Sequence, residues 1–414
     1  MAGSAGWVRI GSGTTAIGAG LNEQTEESWE VFVTTSSAAG QTPDLVRRVQ
    51  TPAGDPAWHI DGYRQVKRLL LDPRLGRSHP RPQQASRYSN SAFLGLPRDT
   101  DPETERVENA RFRRVLSRSF SARRMQALRP RVVELATGLL DQLALRVPPV
   151  DFHEHVSFPL PVLVICELLG VPYADREQFR AYCDQMADTT DQAISRAGMQ
   201  ALFTYMTVLV DRKRSQPGMD VISDLIRAQH DEGFPEERIA GAASGLLFAG
   251  HITTVNAIDR GVLLLCAHPD QRAVLAANPR LVFQAVEEIL RAPSPLPHSC
   301  PAVPTGLTRY TQTDIDVAGV TIGAGELVLL NTRAANSDRE IFTDPQHFDI
   351  TRTDNPHLTF GHGAHFCPGA PLARIELQVL FEMLPHRIPP LRLAVPLETL
   401  RTRTNVIFGG LNFP

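Results

Sequence analysis

A cysteine in a glycine-rich loop has the surroundings best suited to chemistry in this sequence. Cys367 lies within residues 360–369, which read FGHGAHFCPG, and an apolar pattern of helical spacing follows from Ala370 to Leu384. Glycines let a backbone pass close to a large flat group, where a Cβ atom would collide. The N-terminus of the following helix presents free N–H groups and positive potential, which favour a thiolate over a thiol. A lone cysteine is usually buried and inert, but a cysteinate in this context is suited to a single axial bond to haem iron.

The loop resembles the haem-binding loop of the cytochrome P450 family, whose pattern is F-G-x-G-x-H-x-C-x-G. Every specified position is met, at Phe360, Gly361, Gly363, His365, Cys367 and Gly369. The resemblance covers the chain from about Leu45 to the C-terminus. It implies one large, mainly α domain with small β-sheets and the cytochrome P450 fold. It also implies haem b as the cofactor, with Cys367 as the iron ligand.

Composition narrows the remaining classes of function. The chain has 414 residues and a formal net charge of -3, which argues against a nucleic-acid partner. Its five cysteines are scattered and form no C-x-x-C pair, which excludes a disulfide framework and the usual zinc spacings. No apolar run reaches the length of a membrane span, and the first residues lack the pattern of a signal peptide. We therefore expect a cytoplasmic protein without a membrane or nucleic-acid partner, and the resemblance implies that it is an enzyme acting on a small molecule.

The distribution of residue types along the chain predicts a short tail and one domain. Residues 1–42 are rich in Gly, Ser, Thr and Ala without a sustained period, which predicts a mobile tail, and residues 43–414 are predicted to form the domain. Spaced apolar residues predict helices at 63–71, 111–120, 128–145, 160–169, 175–189, 196–213, 219–232, 236–267, 281–291 and 370–384. Strands are predicted within 46–60 and at 307–310, 315–320, 327–331, 391–395 and 406–408.

The long helix predicted at 236–267 contains a threonine whose hydroxyl could handle protons. The hydroxyl of Thr253 can bond back to the carbonyl of Ala249, which leaves that turn of the helix open to water. By itself this pattern is typical of an ordinary buried helix. It resembles the A-G-x-[D/E]-T-T motif of the cytochrome P450 family, which implies a catalytic segment formed by Ala249, Gly250, Ile252 and Thr253.

Ile252 departs from that motif, because the family has an acid there and isoleucine cannot carry a proton. The resemblance implies that the acid and the alcohol together deliver protons during oxygen activation. We therefore predict that Thr253 works here with ordered water, with His251 or with a hydroxyl of the substrate. A second departure is Pro368, which has no N–H to donate to the neighbouring thiolate. Fewer such hydrogen bonds predict a lower reduction potential for the iron.

Glu288 and Arg291 stand at i and i+3 of a predicted helix and can form an ion pair. Such pairs usually lie on the surface. The resemblance implies instead a buried lock behind the haem, completed by a third group from a P-x-R-F segment. His347 occupies that third position, and since imidazole lacks the fork of a guanidinium, the lock is predicted to be weaker or pH-sensitive.

The resemblance also implies which residues hold the two haem propionates. Arg113, Arg309 and His365 match the positions of the family's propionate partners. Asn109 stands where the family has a histidine, so a neutral donor replaces a group that could be charged. A single arginine without such a match is more often a surface residue.

Arginines crowd one short segment of the chain, at Arg111, Arg114, Arg118, Arg123 and Arg124. This charge could serve solubility alone. The resemblance implies that the segment borders the surface where an acidic ferredoxin docks, and complementary charge speeds such encounters. The chain has no G-x-G-x-x-G unit and no cluster-type set of cysteines, so electrons are expected from NAD(P)H through a separate reductase and ferredoxin.

The predicted function is a haem-thiolate monooxygenase that inserts one oxygen atom from O2 into a medium-sized organic molecule, such as a natural-product intermediate. The resemblance places the substrate pocket at Tyr88–Phe93, Met186–Met199, Phe248 and Ile252, Leu296–Cys300 and Thr402–Val406. Two alternatives remain at this point. The same scaffold could catalyse ring coupling, desaturation or a peroxide-driven oxidation, or the protein could bind ligands through haem without turnover.

Overall fold

The long helix α8 runs through the centre of a mainly helical fold, seen in a computed structural model. The structure describes residues 7–9, 45–93, 97–296, 304–388, 391–403, 406–407 and 411–412. Their helices are α1 Tyr63–Leu71, α2 Pro102–Ser119, α3 Ala122–Ala144, α4 Pro159–Leu169, α5 Arg176–Ala187, α6 Gln192–Ser215, α7 Val221–Glu232, α8 Glu236–Ala267, α9 Pro269–Ala277, α10 Val282–Arg291, α11 Thr332–Ala335 and α12 Ala370–Arg387. Helices α4, α6, α7, α10 and α12 pack against α8.

Short strands form small sheets. They are β1 Trp7–Arg9, β2 Val46–Gln50, β3 Pro56–Ile60, β4 Leu75–Gly76, β5 Val150–Asp151, β6 Leu307–Thr311, β7 Ile315–Val317, β8 Val320–Ile322, β9 Leu327–Leu330, β10 Arg392–Leu393, β11 Arg401–Thr402 and β12 Leu411–Asn412. The largest sheet has the order β2-β3-β9-β6-β4, in which β3 and β9 are parallel and the other neighbours antiparallel. The prediction of a mainly α fold with small β-sheets is confirmed.

Small residues on α8 let neighbouring helices approach closely. A Cβ atom on Gly261 would lie 2.2 Å from Cζ of Phe381 in α12, and one on Gly250 would lie 2.8 Å from Cδ1 of Ile165 in α4. The small size of Gly250 is thus explained by helix packing.

Some elements differ from their predicted bounds. Helix α2 begins at Pro102, nine residues before the predicted start, because the side chain of Asp101 caps the N–H groups of Glu103 and Thr104. Its first turns are polar and therefore lack the apolar spacing that reveals a helix in sequence. The predicted single strand at 315–320 is the hairpin β7–β8, which turns at Ala318 and Gly319 with φ of 50° and 84°. Helix α9 was not predicted.

The N-terminal region is described only at β1, which pairs in parallel with β5 and β10. The rest of the predicted tail lies outside the described residues, so the division at residues 42 and 43 stays a prediction. None of the helices that the structure describes has both the length and the apolar character needed to cross a membrane.

Candidate functional site

The loop before α12 is shaped by two glycines in the left-handed region. Gly361 and Gly363 have φ of 71° and 69°, which glycine adopts without the steric cost of a Cβ atom. A Cβ atom on Gly363 would also lie 2.9 Å from the carbonyl oxygen of Leu70, at the end of α1. The N–H of Cys367 donates to the carbonyl of Phe360 at 2.9 Å and closes the loop. These residues therefore fix the direction in which the cysteine points.

The thiol of Cys367 is held at the start of α12. Burial raises its pKa, and this rise is opposed by hydrogen bonds from the N–H groups of Gly369 and Ala370 and by the nearby guanidiniums of Arg113 and Arg374. Pro368 contributes no N–H, so two backbone donors reach the sulfur. This donor set favours the thiolate that a bond to haem iron requires.

The other described cysteines lack such surroundings. Burial raises the pKa of Cys166 and of Cys266 to about 12, and it also raises that of Cys183. No backbone donor opposes the rise at these three sulfurs. Cys300 lies outside the described residues. Cys367 is therefore the described cysteine that fits an iron ligand.

Thr253 and Ala249 lie on an exposed face of α8, although most of this helix is buried in the core. The hydroxyl of Thr253 donates to the carbonyl of Ala249 at 2.7 Å, which is the bond the sequence predicts. This bond occupies the carbonyl that would otherwise accept within the helix and leaves the hydroxyl oxygen able to accept a further proton donor. The part of Thr253 in proton handling stays a prediction.

The two residues before Thr253 cannot take the place of the missing acid. Ile252 is partly buried and packs against the core. His251 is 3% exposed, with its ring edge-on to Phe158 at 4.9 Å, and burial lowers its pKa to about 3. Residues two apart on a helix point about 200° apart, so His251 faces away from Thr253. The predicted alternative of help from His251 is therefore not supported.

A group of positive side chains surrounds His365 next to the cysteine loop. Arg113 donates to the carbonyl of Phe366. Arg309 is 5% exposed and donates to the carbonyl of Thr308 at 2.7 Å. Burial lowers the pKa of Arg309 to about 9, with repulsion from other arginines adding to this. Burial and four arginines, Arg309, Arg77, Arg98 and Arg113, lower the pKa of His365 to about 3. Burial and the neighbouring guanidiniums therefore favour the neutral imidazole of His365.

This positive group fits the two propionates of a haem. Glu105 opposes the charges of Arg77 and Arg309, but its carboxylate already accepts from the backbone N–H groups of Arg77 and Ser78 at 2.8–3.0 Å. Four guanidiniums against one carboxylate leave an excess of positive charge, which is costly when partly buried and calls for anions. Arg77 and Arg98 were missed because no motif marks them in the sequence.

Asn109 does not belong to the positive group around His365. Its Nδ2 donates to the carbonyl of Ala364 at 3.2 Å. The amide that replaces the family's histidine thus supports the cysteine loop.

The predicted lock is buried, but its third member is a different residue. Glu288 and Arg291 form a two-pronged ion pair at 2.7 and 2.8 Å with both side chains fully buried. The third cation is Arg352, whose Nε donates to Glu288 at 3.2 Å. The prediction that the imidazole of His347 fills this place is wrong, because that side chain is exposed and only the carbonyl of His347 accepts from Arg291, at 3.3 Å.

A second carboxylate was missed by sequence reasoning. Glu287 accepts from Arg374 of α12 at 2.7 and 2.8 Å and bonds to His357 at 3.0 Å. Arg374 also lies over the ring of Phe360, at 4.6 Å. Glu287 therefore connects α10, the cysteine loop and α12.

Several described parts of the predicted substrate pocket contact one another. The hydroxyl of Ser195 in α6 accepts from the N–H of Ala92 at 2.9 Å and donates to the carbonyl of Met186 at 2.8 Å. The ring of Phe93 lies 4.7 Å from that of Phe248 in α8. The backbone at 406–407 bonds to the end of α5. Residues 297–300 and 404–405 of the predicted pocket lie outside the described residues.

The five surface arginines divide into two sets. Arg118 pairs with Glu232, and Arg124 pairs with Asp224. The side chains of the other three are exposed and have no described ion pair or hydrogen bond, namely Arg111, Arg114 and Arg123.

Known proteins with similar sequences and folds carry one family description. The family model Cytochrome P450 matches residues 152–386. Pentalenolactone synthase of Streptomyces exfoliatus is 42% identical over 367 residues, covering 88% of this chain and 91% of that protein. Mycinamicin IV hydroxylase/epoxidase of Micromonospora griseorubida is 39% identical, covering 89% and 91%. The solved structure of substrate-free PimD, a polyene macrolide antibiotic pimaricin epoxidase, is 42% identical with a TM-score of 0.76, covering 86% of this chain and 90% of that one.

Proposed function

Because the chain belongs to the cytochrome P450 family, we propose that it oxygenates a medium-sized intermediate of natural-product biosynthesis. It has the fold of that family and is a haem-thiolate monooxygenase with a small-molecule substrate and a redox partner. The relatives named above support a tailoring role, since they include a synthase, a mycinamicin IV hydroxylase/epoxidase and an epoxidase of the polyene macrolide antibiotic pimaricin. Their names also weaken the alternative of a haem protein that binds ligands without turnover.

The observation that carries this proposal is the setting of Cys367, whose sulfur receives two backbone N–H groups at the start of α12. When bound, haem iron supplies the activation of O2. Cys367 would bind the iron, while Arg113, Arg309 and His365 would hold the propionates, with Arg77 and Arg98 adding positive charge. Thr253 would hold a proton donor at its hydroxyl on the exposed face of α8.

Electrons are proposed to come from NAD(P)H through a separate reductase and a ferredoxin. The docking surface is proposed at Arg111, Arg114 and Arg123, since Arg118 and Arg124 are held in ion pairs within the chain. A partner with an acidic surface would meet these three free guanidiniums first.

A cofactor assay and a turnover assay test the function. The reduced protein under CO should show the absorbance band of thiolate-bound haem, and Cys367→Ser should lose that band while the matched control Cys266→Ser keeps it. The purified holoenzyme is then incubated with NADPH, a ferredoxin and its reductase, and a library of macrolide and polycyclic natural products that includes mycinamicin IV. A product heavier by one oxygen atom is expected, and its 18O label should come from 18O2. Absence of the CO band in the parent protein would overturn the assignment of the cofactor.

One observation favours a second reaction type, namely the apolar Ile252 at the family's acid position. An enzyme that protonates oxygen slowly could use a peroxide, which arrives already carrying its protons. The same library is therefore incubated with hydrogen peroxide in place of NADPH and the redox partners. Faster product formation with peroxide than with NADPH would assign the peroxide-driven reaction.

A further inference from the structure

Helix α8 carries an ionisable residue, Asp259, on the face where the family's acid is missing. Asp259 follows Ile252 by seven residues, which is two turns, so the two side chains leave the helix in nearly the same direction about 10 Å apart. Asp259 is 2% exposed, and its Oδ2 bonds to Nδ1 of His153 at 2.8 Å. Its Oδ1 is buried and has no hydrogen-bond partner among the described residues.

His153 opens a π-helical turn, His153–Ser157, which is closed by the N–H of Phe158 donating to the carbonyl of His153 at 2.9 Å. Such turns are rare and occur frequently at functional sites. The side chain of His153 is 23% exposed, whereas that of Asp259 is 2% exposed. The pair therefore connects the outer part of the molecule with the buried side of α8.

Three buried polar atoms around this turn have no described partner, namely Oδ1 of Asp259, Oγ of Ser157 and Nδ1 of His251. The ring of Phe158 lies 4.9 Å from that of His251 and 6.4 Å from that of His153, so both histidines lie beside one aromatic side chain. Ser157 precedes Phe158 in the chain, and Asp259 bonds to His153. Buried polar atoms left unpaired cost about 1–3 kcal/mol each and are usually satisfied by ordered water. The cluster therefore has the chemistry of a buried water site.

The charges around His153 favour its protonated form. Burial lowers its pKa, but the hydrogen bond to Asp259 and the charges of Asp259, Glu154 and Asp151 outweigh burial and raise it above the ordinary value. From α5, Arg180 pairs with Glu154 at 3.0 Å, and Asp184 also faces the cluster. These charges thus favour the imidazolium of His153 next to the carboxylate of Asp259.

We propose that His153 and Asp259 form a proton-supply pair for oxygen activation at Thr253, replacing the acid that is absent at position 252. This inference rests on the proposed oxygenation. Asn256 lies three residues from Thr253 and three from Asp259, so its amide stands between them along the helix. A proton passes from the imidazolium of His153 to the carboxylate of Asp259, then through water positioned by the amide of Asn256 to the hydroxyl of Thr253. His153 regains its proton from solvent.

The stoichiometry of oxygenation requires a supply of two protons. Insertion of one oxygen atom consumes a substrate RH, O2, two electrons and two protons, and it yields ROH and water. Without substrate, two electrons and two protons convert O2 to hydrogen peroxide, whereas one electron and no proton give superoxide. The ratio of superoxide to peroxide therefore measures proton supply without a known substrate.

The test compares the holoenzyme with two variants that block the pair, using NADPH, ferredoxin and reductase without substrate. Asp259→Asn removes the carboxylate, and His153→Gln keeps a donor to Asp259 but cannot carry a proton. Each should lower the ratio of peroxide to superoxide about tenfold and raise the solvent isotope effect on peroxide formation. Asp259→Glu should restore both values, as should Ile252→Glu in the Asp259→Asn protein. Glu167→Gln, which removes an exposed carboxylate paired with Arg131 in the helix that follows this turn, is the matched control.

The proposal is overturned by either of two results. One is that both blocked variants keep the ratio of peroxide to superoxide and the solvent isotope effect of the parent protein. The other is an equal loss in Glu167→Gln. The test does not depend on the proposed function, because an enzyme that forms no organic product from the library still reduces O2 and still reports its proton supply.

Discussion

At the scale of a single residue, Pro368 lowers by one the number of backbone N–H groups that could donate to the sulfur of Cys367. The sulfur of Cys367 receives N–H groups from Gly369 and Ala370, and proline removes the donor that a different residue would place beside them. Hydrogen bonds to a thiolate withdraw electron density from it and raise the potential of the metal it binds. Pro368→Leu restores one possible donor and should therefore raise the reduction potential of the holoenzyme.

A potentiometric titration followed by absorbance measures that change. Pro371→Leu makes the same substitution in the first turn of α12. It adds an N–H beyond Gly369 and Ala370, the two residues whose N–H groups reach the sulfur, and should leave the potential unchanged. A lower or unaltered potential in Pro368→Leu would contradict the prediction.

At the scale of a structural element, Arg352 and His347 lie in the segment that adjoins the buried ion pair of Glu288 and Arg291. Their contributions to the free energy of unfolding should differ. Arg352 donates to the fully buried Glu288 at 3.2 Å and to the carbonyl of Thr343 at 2.9 Å, whereas the imidazole of His347 is exposed. Removing a donor from a buried carboxylate leaves part of its charge unpaired. Arg352→Ala should thus lower the free energy of unfolding by about 2–3 kcal/mol, and His347→Ala should change it by less than about 0.5 kcal/mol.

Chemical denaturation at several pH values distinguishes the two arrangements. The difference between His347→Ala and the parent protein should stay near zero between pH 5 and pH 8, because no side-chain bond of His347 contributes. A large loss in His347→Ala that is greatest at low pH, where a charged imidazole could pair with Glu288, and shrinks as the pH rises would instead favour the lock expected from the sequence.

Glu287 joins three elements, and its contribution depends on pH. Burial raises the pKa of this carboxyl, but the hydrogen bonds from Arg374 and His357 outweigh burial and bring the pKa down to about 2. A carboxyl whose pKa is lowered by folding stabilises the protein above its unfolded value, and this stabilisation is lost as the pH falls toward the folded value. The contribution should be complete above about pH 5 and should disappear between about pH 4.5 and pH 2.

The comparison of Glu287→Gln with the parent protein measures this contribution. The loss of stability near pH 7 should be about 1–2 kcal/mol after allowance for solvent screening, since the side chain is 28% exposed. It should shrink as the pH is lowered. Glu382→Gln, which removes a surface partner of Arg129, should have little effect at any pH. A loss that persists unchanged down to pH 3 would mean that the carboxylate charge is unimportant.

The sequence predicts those features of the site that are local in the chain. The cysteine loop spans ten adjacent residues, and the bond from Thr253 to Ala249 spans one helical turn, so pattern and spacing suffice. Arg77, Arg98 and Arg352 could not be found in this way, because each reaches its partners across long stretches of chain and no spacing records that distance. The same reason hides β1, whose partners lie near residues 150 and 392. The polar start of α2 was missed because an exposed helix lacks apolar periodicity.

At the scale of the whole molecule, the distribution of charge bears on electron supply. The chain carries a net charge of -3, yet Arg111, Arg114 and Arg123 are exposed at α2 and the start of α3 without an acidic partner among the described residues. A local positive surface on a weakly negative protein orients an acidic partner as it approaches. Reversing two of these charges should therefore slow association more than it alters the haem site itself.

The double variant Arg111→Glu/Arg114→Glu tests that arrangement in stopped-flow reduction of the holoenzyme by a reduced acidic ferredoxin. The second-order rate constant at low salt should fall about tenfold, and its decrease with added NaCl should become shallower. Arg196→Glu places one such reversal on α6, and it should leave both quantities near the parental values. Reduction by dithionite, which needs no protein docking, should be equal in all three proteins. Equal slowing in Arg196→Glu would show that net charge, rather than the surface at α2, governs the encounter.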